Sequence, residues 1–357
     1  MSTQRPRAGI LGAGQLALML AEAGAALNVD VICAGRHGDC AERVVPVVPV
    51  DLHDATAVAA FAAQVDAVTV ESENIDARVL RGLNLYPNAH AIGIAQDRLL
   101  EKRFFVECGL EVAPFAPVDS LDDLERAIER IGAPAILKTR RMGYDGKGQV
   151  RLQAATDAAY AWSALGGVPC ILEGVVPFEA EVSLIAARGR SGETVFYPLT
   201  ENVHREGILR VSRAPAWPEL QPQAESYLRH LLDRLDYVGV LAVEFFVRDG
   251  HLLANEMAPR VHNSGHWTIE GSATSQFENC LRAMLGMPLG STASQPTVML
   301  NCIGSMPPEG ETRAFPRLAR HDYGKAARPG RKVGHLTLPA SDEAAVSKWE
   351  TRLNPNG

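Results

Sequence analysis

VGVLAVEFFVRDGHLLANEMAPRVHNSGHWT, Val238 to Thr268, holds two strand-like apolar runs around a charged turn, then a loop dense in hydrogen-bonding side chains. Residues 239–247 and 251–257 read as the two arms of a β-hairpin. If Arg248, Asp249 and Gly250 form a three-residue loop with Gly250 left-handed, Val247 pairs with His251 and Glu244 with Ala254. Glu256 then lies two positions along on the same face, a diagonal neighbour of Glu244. A two-residue turn would instead send the two acids to opposite faces. Two carboxylates beside nucleotide phosphates are a common way to hold Mg²⁺, and a pair of solvated surface acids is the plain alternative. Arg260 follows, suited to a two-pronged grip on a planar anion. His262 and His266 fit a surface loop as readily as a site.

Upstream, RRMGYDGKGQV (Arg140 to Val150) sets three glycines and Lys147 between two strand-like segments, just after Lys138 on AILK. A glycine-rich hairpin with lysines at its base can cover phosphates. It is not a P-loop, because no Gly-Lys-Ser/Thr opens a helix. Next, LEGVVPFEAE places Glu173 at the end of a strand, followed by Gly174, Val175 and Val176. That backbone can bond an adenine edge, and Glu181 lies further along for ribose hydroxyls.

The N-terminus reads strand–turn–helix–strand: RAGILGAG (7–14), QLALMLAEAGAALN (15–28) and VDVICAG (29–35). VVPVVPV (44–50), a helix at 54–64 and DAVTVE (66–71) continue the pattern. This alternation predicts a parallel sheet with helices on its faces, closing near Asp97. GAGQLA (Gly12 to Ala17) suits a phosphate at a helix N-terminus or a tight structural turn. The second strand ends at Ala34, Gly35 and Arg36 with no acid for a ribose, which disfavours NAD; Arg36 keeps an NADP reading open.

From Arg98 the texture becomes α+β, with antiparallel strands at 179–187 and 194–200, until GMPLGSTASQPT marks a linker. The expected domains are therefore 1–97, 98–290 and 297–357. The last carries one strand, VMLNCIGS, and a basic segment, HDYGKAARPGRKVGHLTL.

With 357 residues, 46% hydrophobic and 22% charged, the chain is a multi-domain globular protein. A net charge of −7 argues against broad nucleic-acid contact. No apolar run approaches the roughly 20 residues of a membrane span. No signal peptide is read, and six scattered cysteines (Cys33, Cys40, Cys108, Cys170, Cys280, Cys302) suggest thiols in a reducing cytoplasm.

A strand lysine, a glycine loop, a hinge strand with Glu and paired acids on a hairpin, in that order, resemble the ATP-grasp superfamily. GAGQLALM, TVESEN, QDRLLEK, GYDGKGQ, ENVHREGIL, NEMAPRVHNSGHWT and YGKAARPGRKVGH narrow the resemblance, over Gly12 to His335, to the N5-carboxyaminoimidazole ribonucleotide synthetase family of purine biosynthesis. The resemblance implies an N-terminal Rossmann-like α/β domain, a central ATP-grasp domain and a small C-terminal domain. It implies carboxylation of 5-aminoimidazole ribonucleotide by ATP and bicarbonate, through carboxyphosphate, in a cytoplasmic homodimer.

On that resemblance ATP is bound by Arg98, Lys138, Gly143, Tyr144, Asp145, Gly146, Lys147, Gly148, Gln149, Glu173, Gly174, Val175, Val176, Glu181, His204, Asn255 and Glu256. Glu244 and Glu256 hold Mg²⁺, with Mn²⁺ able to replace it. Arg260, Lys138 and Lys147 are the catalytic candidates, with Arg260 holding bicarbonate or carboxyphosphate. Lys325, Arg331 and Lys332 meet the substrate phosphate, with the Gln15 and Leu16 amides nearby. Glu73, Tyr144, Asn263 and Ser264 complete the substrate side. Ala258 stands where many ATP-grasp enzymes carry Asn, and its side chain can bind no metal. Three other readings stand beside this one: a formate-dependent or biotin-carboxylase-like ATP-grasp ligase, an NADP oxidoreductase, and an inactive nucleotide-binding regulator.

Overall fold

The computed structural model describes residues 5–143 and 147–354. Strands β1 (Arg7–Leu11), β2 (Asp30–Gly35), β3 (Val47–Pro49) and β4 (Ala67–Val70) form the expected parallel sheet, in the order β3-β2-β1-β4. Helices α1 (Gln15–Ala26), α2 (Ala55–Ala62) and α3 (Ala89–Ala95) connect and follow them. β3 is shorter than the apolar run around it. Pro46 and Pro49 bracket the strand, and proline is confined to edges because it brings no ladder donor.

The next unit holds α4 (Arg98–Glu107), β5 (Phe115–Val118), α5 (Leu121–Ile131), β6 (Ala135–Thr139), β7 (Gln149–Leu152), α6 (Ala158–Ala164) and β8 (Cys170–Gly174). Its strands make an antiparallel sheet ordered β5-β8-β6-β7. Side chains cap the helix starts: Asp97 accepts from the Leu99 and Leu100 amides, and Ser120 from Asp123.

A nine-stranded sheet follows. It contains β9 (Ala180–Arg188), β10 (Thr194–Phe196), β11 (Thr200–Arg205), β12 (Ile208–Ala214), β13 (Gly239–Arg248) and β14 (His251–Ala258). Among these lie α7 (Gln221–Arg234) after β12, then α8 (Thr268–Gly271) and α9 (Gln276–Leu285) after β14. The C-terminal strands β15 (Thr297–Ile303), β16 (Ala319–Asp322) and β17 (Lys332–Pro339) extend the same sheet, with α10 (Glu309–Thr312) between β15 and β16.

The sequence showed one strand after residue 297, and the structure has three. β17 was obscured because it buries His335 and Thr337 among its apolar residues, which blurs the period-two pattern. The last helix is α11 (Glu343–Leu353), whose Trp349 seals the apolar cluster of β15 and β17. Helix α1 packs against α9 through Leu16, Leu20, Leu281 and Met284, so the first sheet is held beside the large one. Among the described residues no helix is long and apolar enough to cross a membrane.

Candidate active site

The hairpin of the opening stretch turns differently from the expectation. Arg248 pairs with His251, so the turn is the two residues Asp249 and Gly250, at φ 52° and 75°. Left-handed backbone at both positions is the type I′ turn, whose twist matches its strands. On its own that register would have parted the two acids. A β-bulge restores them: Phe245 pairs with Ala254 but Glu244 pairs with Glu256, with Asn255 as the extra residue. Glu244 and Glu256 are thus directly opposite rather than diagonal.

Both acids line a cleft of about 690 Å³ that also reaches Gln15, Leu16, Glu73, Arg98, Gly143, Glu181, His204, Asn255, Arg260, His262, Asn263, Lys325 and Lys332. Residues separated by more than 300 positions therefore share one cavity. Among the described residues, the ligand atoms of Glu181, His204 and Glu244 lie within 4.8 Å of one another. Burial first, and the Glu256 carboxylate second, push Glu244 up to about 7. His204 goes the other way from its burial: Glu181, Glu244 and Glu256 raise it to about 9. Its Nδ1 stands 3.2 Å from Glu181, at ion-pair distance but without hydrogen-bond alignment. Mg²⁺ prefers oxygen ligands to an imidazole. The carboxylates Glu181, Glu244 and Glu256 fit a hard cation, with His204 as their counter-charge.

The lysine and hinge residues form a second charged group. Lys138 on β6 donates to Glu173 Oε2 at 2.9 Å, and Lys102 of α4 stands 3.5 Å from the same oxygen. Lys102 was missed because it reads as part of a charged helix face, yet it is 1% exposed. It also donates to the Asn255 carbonyl at 2.8 Å, so it fixes the bulge. Burial alone would raise Glu173, but Lys102 and Lys138 hold it down to about 2. Beside it, Glu101 accepts from the Met257 amide at 2.7 Å, while burial and then Glu256 raise it to about 8. Gly174 and Val175 donate to the Pro114 and Pro134 carbonyls, and Val176 packs with Ala113 and Leu253. Phe178 stacks on Phe246 at 4.8 Å and both line the cleft, an aromatic wall that sequence reading did not single out.

At the base of the glycine hairpin, Arg98 donates to the Thr139 carbonyl at 2.8 Å and to Gly143 at 3.0 Å. A Cβ at Gly143 would sit 2.5 Å from Arg98 Nη1, so a side chain there would push the guanidinium away. Gly148 accepts from the Thr139 amide, and Gln149 begins β7 with Lys147 just before it. Tyr144, Asp145 and Gly146 lie outside the described residues.

GAGQLA does not serve a dinucleotide. Glu71, at the end of β4, accepts from the Gly14 amide at 2.7 Å and the Ala17 amide at 3.1 Å. A carboxylate therefore takes two of the amides that reading gave to a pyrophosphate, which disfavours the NADP alternative. A Cβ on Gly12 would fall 2.2 Å from Glu71 Cγ, so the glycines serve this acid. The Gln15 side chain accepts from Lys325 Nζ, close by. Lys332 lines the same end, and Arg331 folds back onto the Ala326 carbonyl at 3.3 Å.

Arg260 turns its fork onto Glu73: Nη2 donates to Oε1 at 3.0 Å and Nε to Oε2. Burial opposes the charge on Glu73, but Arg260 holds it below the usual carboxylate range. Neither histidine of the opening loop is a surface residue. His262 lines the cleft with Nε2 3.5 Å from Glu244, and His266 is fully buried. Asn263 is buried at the cleft wall with both amide atoms unpartnered, as a ligand-facing side chain would be. Ser264 is fully buried behind His262.

Paired acids under a glycine hairpin, between a four-stranded and a larger antiparallel sheet, define an ATP-grasp ligase, and residues 103–277 match the ATP-grasp domain. Residues 6–96 match the ribonucleotide synthetase preATP-grasp domain, and 297–348 the phosphoribosylaminoimidazole carboxylase C-terminal domain. The chain is 50% identical over 344 residues to the N5-carboxyaminoimidazole ribonucleotide synthase of Pseudomonas aeruginosa, covering 95% of this chain and 96% of that one. Against the Escherichia coli enzyme of the same name it is 40% identical, covering 97% and 94%. The structure of the N5-carboxyaminoimidazole ribonucleotide synthetase from Thermus thermophilus superposes with a TM-score of 0.92 at 50% identity, over 98% of each chain. An Aspergillus clavatus synthase in complex with ADP and 5-aminoimidazole ribonucleotide superposes at 0.88 and 29% identity, over 97% and 96%. The chain belongs to the N5-carboxyaminoimidazole ribonucleotide synthase family.

Proposed function

We propose that this chain carboxylates 5-aminoimidazole ribonucleotide to its N5-carboxyamino derivative, consuming ATP and bicarbonate and releasing ADP and phosphate, in de novo purine biosynthesis. One observation carries the reading: a single cleft joins the acid pair Glu244–Glu256 to the basic end at Gln15, Lys325 and Lys332, with Arg260 on its wall. ATP lies between the two antiparallel sheets, its adenine near the Phe178–Phe246 wall and residues 173–176. Its ribose lies at Glu181 and its phosphates between Arg98, Lys138 and the glycine hairpin with Lys147. Mg²⁺, held by Glu244 and Glu256 with Glu181 beside them, neutralises phosphate charge when bound.

A bicarbonate oxygen attacks the γ-phosphorus and ADP leaves, giving carboxyphosphate. The exocyclic amine of the ribonucleotide then takes the carboxyl carbon, losing a proton, while phosphate departs. Little covalent help is needed; what is needed is fixed positive charge around the moving phosphoryl group. Arg260 supplies it from the cleft wall, its guanidinium oriented by Glu73. Excluding water protects the short-lived intermediate, a role that suits the glycine hairpin as a lid. The substrate phosphate meets Lys325, Lys332, Arg331 and the Gln15 and Leu16 amides, and Asn263 bonds the substrate from the wall. The enzyme is cytoplasmic and homodimeric on this reading.

The test is ADP release with Mg-ATP, the ribonucleotide and bicarbonate, beside the same assay with formate. ADP release requiring bicarbonate and lost in Glu256→Ala is the expected result. Release with formate alone would move the chain to a transformylase reading.

A further inference from the structure

We propose that Ser264, Ser183, Asn202 and Ser212 are positioning residues that hold His262 as a neutral imidazole with its proton on Nε2, presenting a fixed hydrogen-bond donor to the cleft beside Glu244. Four polar side chains in a row are an unusual content for a sheet interior. Ser212 on β12, Asn202 on β11 and Ser183 on β9 cross the sheet, and with Ser264 all four are at most 4% exposed. Buried polar groups must satisfy one another, and here they do so in one direction.

Ser212 Oγ donates to Asn202 Oδ1 at 2.8 Å. Asn202 Nδ2 donates to Ser183 Oγ at 2.9 Å. Ser183 Oγ donates to Ser264 Oγ at 2.7 Å. Having accepted that proton, the Ser264 hydroxyl directs its own at His262 Nδ1, 2.8 Å away. A second donor needs no assumption about hydroxyl direction: the Ser264 backbone amide lies 3.3 Å from the same nitrogen. A ring nitrogen that accepts from two donors carries no proton, so the proton is on Nε2.

The ring is fixed in place as well as in tautomer. Gln276 clamps the His262 backbone from both sides, accepting from its amide at 2.9 Å and donating to its carbonyl at 2.6 Å. Nε2 then lies on the cleft side, 3.5 Å from Glu244 Oε1 and at ion-pair distance only. Held this way, His262 neither ligates a cation nor takes a proton through Nε2; it offers a fixed donor to the cleft beside Glu244. The consequence for carboxyl transfer rests on the proposed function, whereas the tautomer does not.

The experiment is two-bond ¹H–¹⁵N correlation on full-length enzyme labelled with ¹⁵N-histidine at pH 7.5, the His262 signals assigned by their loss in His262→Gln. The expected wild-type pattern is the Nε2–H tautomer. Ser264→Ala should give a mixture of tautomers and lower kcat by about tenfold to a hundredfold with the KM for ATP unchanged, and Ser264→Thr should restore both. Far-UV circular dichroism reports whether each variant folds, and the wild-type spectrum decides the tautomer without any variant. An Nδ1–H or imidazolium pattern in the wild type overturns the proposal, as does a wild-type pattern in folded Ser264→Ala. Failure of every form to turn over the ribonucleotide would refute the proposed function and leave the tautomer readable.

Discussion

Arg260 and Glu73, 187 positions apart, form a two-pronged ion pair in the cleft wall, Nη2 to Oε1 at 3.0 Å and Nε to Oε2. The pair joins the edge of the first sheet to the loop after the acid hairpin, so the proposed anion clamp is aimed from another sheet. Arg260→Lys keeps a charge but loses the fork. It should lower kcat by about 10²-fold to 10³-fold while ATP affinity, measured by calorimetry, stays within about threefold. Weakened ATP binding with unchanged kcat would place Arg260 on the nucleotide.

Cation binding should compete with a proton at Glu244. Its carboxyl is pushed up to about 7 by burial and by Glu256, so below that pH it holds a proton that Mg²⁺ must displace. In Mg²⁺ titrations with ATP present, affinity should fall about tenfold per pH unit below about 7 and level off above it. Glu256→Gln removes the neighbouring charge and should move the inflection to lower pH, whatever it does to the affinity itself. An inflection fixed in place would separate the two acids.

Stability should depend on Glu173. Its substitution by Gln leaves Lys102 buried without its nearest acid, at a cost of about 3–5 kcal/mol read by denaturant unfolding. The pH sign follows from its lowered value: the contribution is whole above the ordinary glutamate range and is lost as pH falls through about 2. Glu173→Gln should therefore be less acid-sensitive than the parent between those limits.

Gly12→Ala should be destabilising by about 1–3 kcal/mol from its backbone conformation alone, because φ there is +115°. The added Cβ also meets Glu71, so the carboxylate must leave the Gly14 and Ala17 amides. The melting temperature of Gly12→Ala beside Glu71→Gln checks this. A fall for the first alone would leave strain as its whole cause.

Much of this was legible in order rather than in any one motif. The parallel first sheet came from alternating apolar runs, and the ATP-grasp plan from the succession of Lys138, the glycine hairpin, Glu173 and the acid pair. That Glu244 and Glu256 share a face was anticipated, but as diagonal neighbours after a three-residue loop rather than as a direct pair. A two-residue turn and a bulge at Asn255 cancel, and a bulge leaves no mark in the residue pattern. Lys102 and Glu101 went unseen because burial of a charge depends on tertiary partners, here Glu173 and the Met257 amide. GAGQLA was read as a phosphate cradle or a tight turn, and that its amides meet Glu71 needs β4 beside β1. His262 could not be told from a surface histidine until the row of buried serines behind it was in place.

The most direct measurement follows isotopes from bicarbonate labelled with both ¹³C and ¹⁸O, supplied with Mg-ATP and 5-aminoimidazole ribonucleotide. The account predicts ¹³C in the product carboxylate by NMR and one ¹⁸O in the released phosphate by mass spectrometry, since a bicarbonate oxygen attacks phosphorus. Unlabelled phosphate, or ADP formed with no ¹³C in the ribonucleotide, would contradict it.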